Sequence, residues 1–156
     1  MSEDIFMQRA VALALEHMQA AAGGPFGAVV VRNGEIVAEG WNEVTSTNDP
    51  TAHAEVMAIR KACAKLGTFN LSDCDIFASC EPCPMCLGAI YWARFPRMYY
   101  ANTRWEAAAI GFDDDFIYRE IPMDPAARSI PGIRLVTVDS PMPFKQWAEK
   151  PDKIRY

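Results

Sequence analysis

The sequence predicts an α/β fold, with helices packed on both faces of a mixed central sheet of about five strands. Segments with strand and helix patterns alternate along the 156 residues, which is typical of such layered domains. A chain of this length buries enough surface for one hydrophobic core. It contains no internal repeat, linker or low-complexity tract, so we expect residues 1–156 to form a single domain.

The first half of the chain predicts a helix, a β-hairpin and a second helix. Apolar residues recur at helical spacing from about residue 2 to 22, and a Gly-Gly-Pro stop follows them. Residues 27–31 and 35–38 are predicted strands because they flank Asn33-Gly34, the pair that a type I′ hairpin turn prefers. After a polar loop, residues 52–66 have a helical pattern.

The second half predicts more strands, another helix and a long covering loop. Pro84 begins the helical stretch to residue 94, at a position where its missing N–H costs nothing. The segment 111–131 has the charge and proline spacing of a loop that covers or binds. The remaining strand predictions are residues 75–79, 97–101 and 133–138.

Charge and composition limit the class of partner and the compartment. Lys and Arg number 15 against 20 Asp and Glu, and basic residues form no run, so binding along a nucleic-acid backbone is not expected. A small neutral substrate suits this balance better. The N-terminal stretch lacks the pattern of a secretory signal, and no apolar run is long enough for a membrane span. We therefore expect a cytoplasmic protein.

The five cysteines favour a metal or redox site over a disulfide framework, because their number is odd and three lie within seven residues. His53 and Glu55 stand about thirty residues before Cys83 and Cys86. One imidazole and two thiolates are suitable ligands for a catalytic zinc, which keeps its fourth position open. Glu55 is then free to move protons.

Two other interpretations of the same residues remain open at this point. The Cys-Pro-Met-Cys stretch at a helix start also suits a dithiol redox protein that needs no zinc. Cys80 extends the pattern to Cys80-x-x-Cys83-x-x-Cys86, which would supply a fourth ligand to a purely structural zinc. The position of Glu55 near His53 favours the catalytic interpretation over both.

The pattern H-x-E followed by P-C-x-x-C resembles the signature of the zinc-dependent deaminases, which include cytidine, cytosine, tRNA-adenosine and guanine deaminases. The resemblance implies a cytidine deaminase-like three-layer α/β/α fold. It also implies one Zn²⁺ per subunit, bound by His53, Cys83 and Cys86. Glu55 would be the general acid and base of the reaction.

Longer motifs resemble the small bacterial guanine deaminases from near Phe6 to Tyr156. These motifs are G-G-P-F-G-A-V-V-V, N-D-P-T-A-H-A-E, S-C-E-P-C-P-M-C-L-G-A-I-Y-W-A-R and G-F-D-D-D-F-I-Y. The resemblance implies hydrolysis of guanine to xanthine and ammonia. It also implies a homodimer in which the segment from about residue 132 to 156 crosses to the partner. The substrate-binding residues it implies are Phe26, Asn42, Ala54, Trp92, Asp114 and Tyr156.

A carboxylate is a suitable hydrogen-bond acceptor for guanine, because the base presents N1–H and an exocyclic amine as two parallel donors. The resemblance selects Asp114 for this role, although no physical argument from the sequence separates it from Asp113 and Asp115. Deamination of another base, cytosine or the adenosine of a tRNA, stays open because the shape of the pocket is not readable from the sequence.

Overall fold

The computed structural model describes residues 2–156, and the chain divides into two compact units, the first ending at Tyr118 and the second beginning at Arg119. The second unit contains a 3₁₀ turn, Pro125–Ala127, and the helix α7, Met142–Glu149, while α6, Asp114–Glu120, spans the boundary. Before α6, the first unit contains α1 (Ser2–Gln19), β1 (Gly27–Arg32), β2 (Glu35–Trp41), α2 (Val44–Thr47), α3 (Ala54–Leu66), β3 (Asp75–Cys80), α4 (Pro84–Trp92), β4 (Arg97–Asn102) and α5 (Arg104–Ala109).

The described strands form one mixed sheet in the order β2-β1-β3-β4. β1 pairs antiparallel with both β2 and β3, and β3 pairs parallel with β4. The α/β class and the mixed sheet are therefore confirmed. Residues 2–156 contain four strands, so the prediction of about five was one too high.

The middle strand β1 separates two hydrophobic layers. Ala28 and Val30 face a cluster that includes alanines of α3 and Ile90 of α4. Val29 and Val31 face the opposite cluster, which includes Leu13 of α1. Successive side chains of a strand point to opposite faces of a sheet, so a strand buried on both faces has a continuous apolar sequence. The three-layer arrangement follows from this pattern.

The turn between β1 and β2 has the predicted conformation. Asn33 and Gly34 have φ angles of 52° and 79°, both in the left-handed region that a type I′ turn requires. The turn therefore places β1 and β2 side by side, and β2 carries Gly40 towards α3.

Helix α3 lies unusually close to strand β2. A Cβ atom added at Gly40 would lie 2.2 Å from the carbonyl oxygen of Ala54 and 2.5 Å from the backbone nitrogen of Ala58. Only a residue without a side chain allows this approach. The start of α3 is thus held directly against the sheet.

Two predictions for the last third of the chain were wrong. Residues 133–138 form no strand, because a strand requires a hydrogen-bonded neighbour and the second unit provides none among its described residues. Ile133, Leu135 and Val138 are 87%, 86% and 91% exposed. The segment 111–131, predicted as a loop, contains the whole of the short helix α6 and a 3₁₀ turn.

Candidate metal centre

Two helix starts bring together the residues that the sequence predicts as metal ligands. His53 is the N-cap of α3 and Cys83 is the N-cap of α4, both with extended backbone angles. Cys86 lies in the first turn of α4. His53 is therefore outside the regular helix. Residues two apart on a regular helix point about 200° from each other, so this position allows the side chains of His53 and Glu55 to reach one cavity.

The geometry of these three side chains fits a single metal ion. The Nδ1 atom of His53 lies 3.5 Å from Sγ of Cys83 and 3.6 Å from Sγ of Cys86. All three donor atoms lie within 4.8 Å of one another. An imidazole and two thiolates are the donor types that zinc prefers, and three protein ligands are typical of a catalytic zinc. The residues present therefore fit zinc.

The charges at this site favour the metal-binding form of Cys83. Hydrogen bonds from Cys86 and then from His53 lower the pKa of the Cys83 thiol. The bond with Cys83 and burial raise the pKa of Cys86. The hydrogen bond with Cys83 also raises the pKa of His53. The two sulfurs and the imidazole thus share protons that a divalent cation would displace.

Cys80 lies near this site but outside the group of ligands found among residues 2–156. Its thiol faces the carbonyl oxygen of Thr103 at 3.7 Å, and burial raises its pKa to about 12. A thiol with so high a pKa is a poor metal ligand at neutral pH, because the thiolate is the binding form. The structure therefore does not form the four-ligand site of a purely structural zinc.

Glu55, in the first turn of α3, is a buried carboxyl at the centre of the site. It is 7% exposed, and burial raises its pKa to about 7. Its side chain lines the same cavity as those of His53 and Cys83, so it lies near the metal ligands. A carboxyl with a pKa near neutrality can both accept and donate a proton at physiological pH.

A cavity of about 500 Å³ opens beside these residues. The predicted site residues among those that line it are Phe26, Asn42, His53, Glu55, Cys83 and Asp114. The remaining lining residues are Gly23, Gly24, Val44, Thr45, Pro50, Cys80, Glu81 and Phe112. Metal ligands, a buried carboxyl, an amide and a second carboxyl thus share one concave site with aromatic walls, which is typical of a small-molecule binding site.

The amide group of Asn42 has a defined orientation. Its Oδ1 atom accepts hydrogen bonds from the backbone N–H groups of Gly24 and Val44, each at 3.1 Å. A Cβ atom at Gly23 would lie 2.3 Å from the same oxygen, so this approach requires glycine. Because the oxygen is bound to the backbone, the NH₂ group of Asn42 is the part available to a ligand in the cavity.

Asp114 is the one aspartate of the 113–115 run that lines the cavity. It is the first residue of α6, and burial raises its pKa. Asp113 is exposed. Among the three aspartates, the geometry therefore favours Asp114 as the one that contacts a bound base, and this contact stays a prediction.

Phe112 and Glu81 line the cavity although the sequence analysis did not select them. The Phe112 ring packs edge-on against Phe26, with centroids 4.7 Å apart and an interplanar angle of 85°. Both residues stand next to motif residues in the sequence, Phe112 before the aspartate run and Glu81 before Pro82-Cys83. Adjacency to a motif was the available signal, but it does not show which way a side chain points.

Three of the predicted substrate residues are not part of the cavity lining in the first unit. Ala54 is buried at the first turn of α3, where backbone N–H groups lack acceptors within the helix. Trp92 ends α4 and is 63% exposed. Tyr156 belongs to the second unit.

No helix within residues 2–156 has the length and apolar character to cross a membrane.

Comparisons with known proteins agree with this site. Residues 1–102 match the family model described as cytidine and deoxycytidylate deaminase zinc-binding region. The guanine deaminase of Bacillus subtilis (strain 168) is 53% identical over 156 residues, which is the full length of both chains. An X-ray structure of guanine deaminase from Bacillus subtilis matches with a TM-score of 0.95, covering 98% of each chain. A tRNA-specific adenosine deaminase of Agrobacterium fabrum is 46% identical over 86 residues, covering 55% of this chain and 57% of its own.

Proposed function

The chain belongs to the cytidine and deoxycytidylate deaminase family of zinc-binding proteins, and from this we propose that it hydrolyses guanine to xanthine and ammonia. The observation that carries the proposal is the position of Asp114, whose carboxyl lines the same cavity as Glu55, His53 and Cys83. This pairing would give the amine edge of guanine an acceptor in the same cavity as a proton-transfer group. The similarity to guanine deaminase along the whole chain supports the same substrate.

His53, Cys83 and Cys86 are the residues that would hold the zinc ion. When bound, zinc supplies a Lewis acid that makes water a nucleophile at neutral pH. The two sulfur ligands carry the negative charge that balances a divalent cation. The three side chains would hold the ion near Glu55, since His53 and Glu55 are two residues apart at the start of one helix.

Glu55 moves the protons of the reaction. Hydrolysis of the C–N bond at C2 of guanine uses both protons of the attacking water. One passes to the ring nitrogen as the C–O bond forms, and the second passes to the departing amine as the C–N bond breaks and the C2 hydroxyl becomes the carbonyl of xanthine. A single carboxyl with a pKa of about 7 is suited to both directions of transfer. Its burial also excludes bulk water, which would otherwise compete for the proton.

Asp114 and Asn42 orient the base. The Asp114 carboxylate accepts from guanine N1–H and from the exocyclic amine, which adenine and cytosine do not offer as a pair. The Asn42 NH₂ group donates to an acceptor on the other side of the ring, because its oxygen is already bound to Gly24 and Val44. Phe26 supplies an aromatic wall.

Ala54, Trp92 and Tyr156 complete the proposed site. Ala54 acts through its backbone N–H at the start of α3, where the helix favours a ligand acceptor. Trp92 and Tyr156 act in a homodimer, in which the segment from about residue 132 to 156 crosses to a second copy. Support for this assembly comes from the exposed apolar side chains of the second unit, including Ile130, Leu135 and Phe144 at 87%, 86% and 84%. A protein that stays monomeric in light scattering at micromolar concentration would contradict the dimer.

The direct test is to incubate the purified protein, whose zinc content has been measured, with guanine and to measure xanthine and ammonia. We expect equimolar formation of both products. Cytosine, adenine and tRNA serve as alternative substrates in the same assay. Turnover of one of these in place of guanine would assign a different base to the site, and zinc without turnover of any base would contradict the enzyme function.

A further inference from the structure

Tyr118 joins the helix that carries Asp114 to the turn that carries the metal ligands. It stands four residues after Asp114 on α6, so both side chains lie on the same face of that helix. Its hydroxyl donates a hydrogen bond of 2.7 Å to the carbonyl oxygen of Pro82. Pro82 is fully buried and directly precedes Cys83. One hydrogen bond therefore connects α6, the helix that carries the proposed substrate ligand Asp114, with the metal-binding turn, which we define as residues 81–83.

The ring of Tyr118 is held by a residue attached to the same turn. The guanidinium carbon of Arg104 lies 4.3 Å from the centre of the Tyr118 ring, within the range of a cation–π contact. The backbone N–H of Arg104 donates to Oε2 of Glu81 at 3.0 Å. Glu81 precedes Pro82, so the ring and the hydroxyl of Tyr118 both connect to the segment 81–82.

A second contact fixes the chain on the other side of Asp114. The Phe112 ring packs against Phe26, and the Phe112 N–H donates to the carbonyl oxygen of Ala107 at 3.1 Å. Asp114 thus lies between an aromatic contact at Phe112 and a hydrogen bond at Tyr118. These two contacts restrain the backbone on both sides of Asp114.

Polar contacts hold helix α6 more than hydrophobic burial does: besides the Tyr118 bond, Arg128 and Ser129 donate hydrogen bonds to Glu120 at its C-terminal end. None of its residues is buried, whereas α3 and α4 each contribute buried residues to the site side of the sheet. Tyr118 is half-buried, and burial raises the pKa of its phenol, so the hydroxyl remains a donor at neutral pH. Loss of one polar contact should therefore shift α6 more than it would shift a core helix.

We propose that Tyr118 is a positioning residue that sets the distance between the Asp114 carboxylate and the metal-binding turn, and through it the recognition of guanine. The proposal rests on the proposed guanine deaminase function. Guanine must meet Asp114 at one edge while its C2 atom faces Glu55 and the ligands. The hydrogen bond from Tyr118 to Pro82 connects helix α6, which carries Asp114, to the turn that precedes Cys83.

A double-mutant cycle separates positioning from general support of the fold. Tyr118→Phe removes only the hydroxyl, and we expect kcat/KM for guanine to fall about three- to tenfold, the loss of roughly one hydrogen bond. In an Asp114→Asn background the same change should have little further effect, because Tyr118 acts through Asp114. Tyr91→Phe, which removes a hydroxyl from a side chain that is 73% exposed, is the matched control and should leave kcat/KM unchanged. An equal loss in both backgrounds would overturn the proposal.

Zinc content and amide hydrogen exchange provide readouts that do not depend on turnover. Tyr118→Phe should retain one zinc per chain and should speed exchange of the amides from residue 112 to 118, while amides of the central strand β1 keep their wild-type rates. Unchanged exchange in this segment would overturn the positioning role, whatever the substrate. If the wild-type protein fails to deaminate guanine, the proposed function fails separately, and exchange still decides whether Tyr118 holds α6.

Discussion

Gly40→Ala tests how closely the site depends on the contact between α3 and the sheet. The added Cβ atom would lie 2.2 Å from the Ala54 carbonyl oxygen, whereas such carbon–oxygen contacts normally begin at about 3.3 Å. Helix α3 would therefore have to move outward by about 1 Å, since the opposing atoms belong to its backbone and cannot rotate away. Overpacking of this kind costs about 1 to 3 kcal/mol. We expect a value near the upper end.

The assay is urea unfolding of the zinc-loaded protein, with Gly88→Ala as the matched control. A Cβ atom at Gly88, within α4, meets no atom within 4 Å. Alanine is also the better helix former by about 0.8 to 1.0 kcal/mol, so the control should be slightly more stable than wild type. Equal unfolding midpoints for the two variants would refute the argument from close packing.

The same displacement should reach the site. His53 and Glu55 lie at the start of α3, and His53 Nδ1 is 3.5 Å from the Cys83 sulfur on another helix. A shift of about 1 Å in a catalytic group can reduce activity by roughly 100-fold. We expect Gly40→Ala to lose kcat/KM on this scale even under conditions where it is fully folded, while Gly88→Ala keeps wild-type activity.

Three further substitutions test the roles of individual carboxyl groups. Glu55→Gln should keep zinc at wild-type stoichiometry and lower kcat by roughly 10²- to 10⁴-fold, because the amide cannot transfer protons; a variant with wild-type kcat would end this role. Asp114→Asn should lower kcat/KM for guanine by roughly 10- to 100-fold, the size of lost charge-assisted bonds, while the exposed neighbour variant Asp113→Asn stays near wild type; equal losses would contradict the assignment. The Glu39 carboxylate accepts two hydrogen bonds from Arg9, at 2.7 and 2.9 Å, which lower its pKa in the folded state. Its contribution to stability is therefore present above the unfolded pKa of about 4.3 and lost as pH falls through the folded pKa, so Glu39→Gln should reduce the drop in Tm between pH 6 and pH 3.

The central part of the fold was predictable because its signals are local. The apolar run of β1, the Asn33-Gly34 turn and the glycine pair after α1 each determine backbone conformation over a few residues. Residues 133–138 have a strand composition too, yet a strand also needs a neighbour, and composition does not reveal one. Helix α6 was missed because it is short and has no buried stripe to produce a helical period.

The metal-binding group was predictable for a chemical reason. His53, Cys83 and Cys86 are donors whose types and spacing suit few other purposes, and the structure brings their atoms within 4.8 Å of one another. The walls of the cavity were harder to predict, because aromatic residues such as Phe112 pack in cores and line pockets equally well. Which of the three aspartates lines the cavity depends on the orientation of α6. The sequence of α6 has no periodic pattern that indicates this orientation.

Two of the proposed ligands occupy positions where helices usually have a capping side chain. His53 and Cys83 are the N-caps of α3 and α4, and neither makes a side-chain capping hydrogen bond. Serine at an N-cap is worth about 1 kcal/mol, so Cys83→Ser should make the metal-free protein more stable while abolishing its activity. The metal ligands thus lower the local stability of the two helix starts. A random mutagenesis screen that selects for thermal stability alone would therefore enrich inactive variants at this position.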